Sequence, residues 1–157
     1  SRIIESGTSD VRILLGRASA FRKTGENEKA LSDLESFLSI YPENTEALSM
    51  KGNIYLINGD NLKALEVFTR NLNLHPSNPA MYIDRANSYF ASRSWQWAIN
   101  DYSMSLDLNP NNSDVWINKG ISLVNSGKTT EACHDFRKAL SLGNKRASDF
   151  INRNCIK

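Results

Sequence analysis

Pro42, Pro76 and Pro110 stand 34 residues apart, and no other feature restricts the possible folds as strongly. A fixed period of roughly twenty to fifty residues marks a stacked-repeat architecture. Aligned on it, the chain divides into four units, 11–44, 45–78, 79–112 and 113–144, with flanking segments 1–10 and 145–157. The columns agree. The fourth position holds Leu14, Leu48, Tyr82 and Trp116, and the eighth Ala18, Gly52, Ala86 and Gly120. The twentieth is always alanine (Ala30, Ala64, Ala98, Ala132), and the twenty-fourth is Leu34, Phe68, Tyr102 and Phe136. Leu38, Leu72, Leu106 and Leu140 fill the twenty-eighth.

Positions four, eight and eleven share one face of a helix, and positions twenty, twenty-four and twenty-eight share one face of a second. Each unit therefore reads as a pair of helices. The small eighth residue lets the second helix come close, and the large neighbours fill the flanks. Gly25, Gly59 and Gly127 fall between the two patterns, where a left-handed residue ends a helix. Arg93 takes that place in the third unit, so its turn is expected to be less ideal. Proline follows the second helix, where it blocks continuation.

The Leu48–Gly52–Tyr55 face, the Ala64–Phe68 pair and Pro76 resemble the tetratricopeptide repeat (TPR) family, as do Trp116–Gly120 and Ala132–Phe136. The resemblance implies an all-α, right-handed α-solenoid of four TPR hairpins and a C-terminal capping helix in 145–157. The seventh position, where the family often has leucine, holds Arg17, Lys51, Arg85 and Lys119; their stems are expected on the core and their heads in water. Segment 1–10 is expected to be the tail of a preceding repeat or an N-terminal extension, with Asp10 capping the first full helix.

The resemblance also implies the function: a non-enzymatic scaffold that binds a protein or peptide segment along a concave face lined by the first helices. At the positions the family uses for this stand Asn53, Asn87 and Asn118, with Met50, Ile83 and Phe90 as apolar contacts on a floor that also includes Leu56 and Ile117. An amide both donates and accepts, which suits a peptide backbone of any sequence. The alternative is that the apolar members pack between helices and the asparagines face water. The lysine of the family's carboxylate clamp is absent from the fifth position, where Leu15, Ser49 and Ile83 stand, which argues against binding of a chaperone tail. Trp97, Arg22 and Lys23 are further candidate interface residues; Trp97 could equally cover the Arg93 turn. A second functional reading is structural: a segment of a longer repeat protein that stacks on neighbouring repeats or self-associates.

Chemistry is hard to find. Cys133, His134 and Asp135 are consecutive on a helix and point apart, so they form no relay among themselves. No metal-ligand spacing and no phosphate loop appear, and neither a metal nor a cofactor is expected. With 19 basic and 17 acidic residues, no nucleic-acid footprint follows, and no apolar run is long enough for a membrane span. Cys133 and Cys155 lie eleven residues either side of Asn144, so a helical hairpin turning there sets them side by side. A disulfide is sterically allowed, and the ending resembles the capping segment of exported bacterial TPR proteins. The alternative is two small buried thiols. The pairing would favour an exported or periplasmic location, and free thiols a cytoplasmic one.

Overall fold

The computed structural model describes residues 2–155, with side chains from Val11 onward. All regular structure among the described residues is helical: α1 (Arg2–Thr24), α2 (Asn27–Ile40), α3 (Thr45–Ile57), α4 (Asn61–Leu74), α5 (Pro79–Ala91), α6 (Trp95–Leu108), α7 (Ser113–Asn125), α8 (Thr129–Ser141) and α9 (Ala147–Asn154). They form two compact units, one through Leu74 and one from His75 onward.

In the first unit α1 pairs with α2 and α3 with α4. Its core joins Ala18, Ala30, Leu34, Phe37, Ala47, Met50 and Ile54. In the second unit α5 pairs with α6 and α7 with α8, and α9 packs on α8. Two clusters there are Ala86–Ala98–Tyr102–Leu106–Val115 and Ile99–Leu123–Ala132–Phe136. The repeated small residues sit where the helices touch: Ala18, Ala30, Ala64, Ala86, Ala98 and Ala132 are all fully buried.

Helix boundaries follow local chemistry. Asn44, Asn78 and Asn112 cap α3, α5 and α7, their side chains accepting from the amides of Ala47, Ala80 and Val115. Each first helix closes with a backbone bond reaching back five residues, as from Asp60 to Tyr55 and from Lys128 to Leu123. That closure needs one left-handed residue. Gly59 and Gly127 supply it at φ 80° and 83°, whereas Arg93 is forced to φ 57°. Arg93→Gly is therefore expected to stabilise the second unit by up to about 1 kcal/mol, because a side chain disfavours this backbone region. A higher urea midpoint at unchanged m-value checks it.

Two expected ends move. Asp10 does not start a helix: α1 runs unbroken from Arg2, so the chain through 8–10 is helical, and the Ile3, Ile4 and Asp10 side chains lie outside those described. The terminal helix begins at Ala147 rather than Lys145, after a turn in which Gly143 adopts φ 88°. The twenty-eighth column also fails at its last member. Leu140 is exposed, and Ala139 takes the inward place beside Ala147 and Ile117.

Candidate functional site

The three asparagines have different surroundings. Asn87, half-buried on α5, accepts a 2.7 Å hydrogen bond at Oδ1 from the Tyr102 hydroxyl of α6. Burial pushes the Tyr102 phenol up, so it stays a donor. The matching residue behind Asn53 is Phe68, which has no hydroxyl. Asn53 instead turns back along its own helix and donates to the Ser49 carbonyl at 2.9 Å. Asn118 is half-buried on α7 and makes no side-chain hydrogen bond among the described residues.

Of the apolar candidates, Met50 and Ile117 are core. Met50 is 8% exposed and joins the cluster between α3 and the first hairpin; Ile117 is 1% exposed beside Ala139 and Ala147. The reason is close packing within each unit, which sets Met50 against the first hairpin and Ile117 against α8 and α9. Ile83 and Phe90 are half-buried at the edge of the Ala86–Tyr102 cluster, and Phe90 meets Trp95 edge-on at 5.1 Å. The surface of α5 thus presents Ile83, Asn87 and Phe90 at a spacing that shares one helix face.

Trp97 is 61% exposed and lies nearly parallel to Tyr89 at 5.9 Å. Lys23 is exposed at the end of α1, while Arg22 is half-buried with its Nε enclosed and without a hydrogen-bond partner. Cys133 and Cys155 form a disulfide with Cα atoms 5.7 Å apart, which ties α9 to α8. Phe150 of α9 stacks on Phe136 of α8 at 5.1 Å next to it.

The basic seventh column does not simply reach water. Arg17 forks onto Asp33, Nε to Oδ2 and Nη2 to Oδ1, both at 2.6 Å. Arg85 forks onto Asp101 at 2.7 and 2.8 Å. Both aspartates are buried, on the second helix of the same hairpin. Lys51 faces Val67 instead and pairs at 3.2 Å with Glu35 of the preceding hairpin. Lys119 approaches Asp135 at 3.3 Å. A basic residue followed sixteen positions later by aspartate was the available signal, visible at 17/33, 85/101 and 119/135.

No described helix is long and apolar enough to cross a membrane, and among the described residues no three His, Cys, Asp or Glu side chains converge as metal ligands do.

Two models of the tetratricopeptide repeat match the sequence, one over residues 15–79 and the other over 102–134. No curated protein matches it. Among solved structures, MamA superposes with a TM-score of 0.80 at 20% identity, over 94% of this chain and 86% of that one. MamA from Desulfovibrio magneticus RS-1, from residue 41 to its end, gives 0.79 at 20% identity, over 85% and 75%. A tetratricopeptide repeat protein from Parabacteroides merdae ATCC 43184 gives 0.80 at 25% identity; the match covers 88% of this chain and 56% of that one. At such identities the MamA likeness establishes fold, and the fold agrees with the two sequence matches and with helix pairs recurring every 34 residues. The chain belongs to the tetratricopeptide repeat family.

Proposed function

We propose that this chain is a non-enzymatic protein-interaction scaffold, and that α5 and α7 in the second unit capture a peptide segment through Asn87 and Asn118, with Ile83 and Phe90 as apolar contacts. One observation carries the reading. The Tyr102 hydroxyl occupies the Asn87 carbonyl oxygen, so the amide is held in one orientation and its two hydrogens are left to a ligand. A peptide carbonyl is the acceptor such a donor suits, and an amide held in advance loses less entropy on binding. Asn53, in the first unit, has one amide hydrogen spent on the Ser49 carbonyl and no hydroxyl to orient it. Its role in this scheme is secondary. Met50 has none.

The test is a peptide-display selection on the wild-type chain, followed by affinity measurement on variants. Asn87→Ala is expected to weaken selected peptides at least about tenfold, near 1.4 kcal/mol, with an unchanged helical spectrum. Tyr102→Phe should weaken them less, since it frees the amide without removing it. Peptides held equally well by Asn87→Ala would remove the assignment. A wild-type chain that selects no peptide but sediments as a concentration-dependent oligomer would favour the self-stacking alternative.

A further inference from the structure

The second unit holds a cleft of about 300 Å³ away from the α5 strip, lined by Ile99 and Ser103 of α6, Lys119 and Leu123 of α7, and Glu131, His134 and Asp135 of α8. Asp135 forms part of it and is 3% exposed. Its Oδ2 is enclosed and, among the described residues, receives no hydrogen bond of good geometry. Lys119 Nζ stands 3.3 Å from that oxygen but lacks hydrogen-bond geometry, and the same ammonium lies 4.6 Å from the centre of the Trp116 ring. Among the described residues the other oxygen meets His134 Nδ1, at 3.4 Å. Burial pushes the Asp135 carboxyl up, against the opposing pull of Lys119 and His134.

The chain itself shows what completes such a carboxylate. Asp33 and Asp101 occupy the same repeat position, and each receives both arms of a guanidinium at 2.6 to 2.8 Å. Lysine is a point charge and cannot supply the planar fork. At the fourth repeat the Lys119 ammonium stands where the fork would be, and a cleft remains beside it. Ile99 and Leu123 offer apolar walls for a methylene stem, and Glu131 adds negative charge to the lining. The corresponding cleft of the first unit, about 490 Å³, has Val67 in place of the aspartate, and its Lys51 is turned to Glu35. It has apolar walls but no carboxylate at that position.

We propose that this α6–α7–α8 cleft is a docking site for an arginine side chain of a partner protein, whose guanidinium displaces the Lys119 ammonium and forks onto Asp135 as Arg17 and Arg85 do onto Asp33 and Asp101. The site is independent of the Asn87 strip and stands or falls separately.

The probe is a blocked Gly-Arg-Gly tripeptide, titrated at millimolar concentration into the isotope-labelled chain and followed by amide chemical shifts. Saturable shifts are expected at Lys119, Leu123, His134 and Asp135, with affinity at least about tenfold above the citrulline tripeptide, which keeps the shape and loses the charge. The lysine tripeptide should bind more weakly than the arginine one. Lys119→Arg is expected to abolish the shifts by filling the site from within, while retaining the fold. Asp135→Asn should abolish them too; should it fail to fold, Lys119→Arg decides. Absence of saturation with the arginine tripeptide overturns the proposal. So does equal binding of the lysine or citrulline tripeptide, or binding retained by either folded variant.

Discussion

Gly52→Ala is expected to destabilise the first unit by about 3 kcal/mol, the upper end of what forced overpacking costs. The sign is the informative part. In an unconstrained helix interior the same change stabilises by roughly 0.5–1 kcal/mol. Here an added Cβ would stand 2.6 Å from Phe68 Cζ, with two further ring atoms also inside the closest approach real side chains show. Gly120 meets Phe136 in the same way, at 2.5 Å. The ring is wholly buried and has no open side to retreat to. The first hairpin shows one remedy, since Ala18 there faces Leu34; in the third, Ala86 and the Tyr102 ring share a cluster in a hairpin already set for both. Gly52→Ala combined with Phe68→Leu should recover much of the loss, as a double-mutant cycle in urea would record. A stabilising single substitution would mean that the helices separate at little cost, and the packing account would be wrong.

The second large effect is at the other end. Reduction of Cys133–Cys155, or the Cys133→Ala/Cys155→Ala pair, is expected to cost about 3 kcal/mol by releasing a closure 22 residues apart in sequence. The loss should appear locally. Helix α9 has eight residues, too few to persist without tertiary support. Its amides should exchange fastest after reduction, and the Phe136–Phe150 stack should open with them. A mass gain of two hydrogens on reduction confirms the bond. Unchanged exchange in α9 would show that apolar packing alone holds the helix.

How far the sequence could be read depended on whether an effect was periodic. Pro42, Pro76 and Pro110 located the hairpins, and the alanine column located the contacts, because both recur with the repeat. The starts of α3, α5 and α7 follow from their asparagine caps, and the ends of α3, α7 and α8 from the glycine stops. Non-periodic features were less legible. Helix α1 continues through Asp10 although Asp10 reads as a cap, since a capping residue permits a helix to begin and does not compel it. Met50 and Ile117 have the side chains of a binding surface, but packing within each unit buries them, and burial is set by neighbours far along the chain. The Tyr102–Asn87 bond rests on a single hydroxyl that distinguishes Tyr102 from Phe68. The aspartates beneath Arg17 and Arg85 are invisible to any reading of the basic column by itself, because the partner stands sixteen positions on, across the hairpin turn.

The ion pairs and the small-residue column alternate together. Hairpins one and three combine alanine at the eighth position with a guanidinium forked onto aspartate; hairpins two and four combine glycine and phenylalanine with lysine. The arrangement thus has an odd and an even member, and its full chemical period spans two hairpins. A consensus averaged over all four copies would mix the members and lose the pairing of each small residue with its own basic partner. Averaging odd with odd and even with even would preserve both solutions, which is also the pattern expected of a chain that grew by doubling a two-hairpin ancestor.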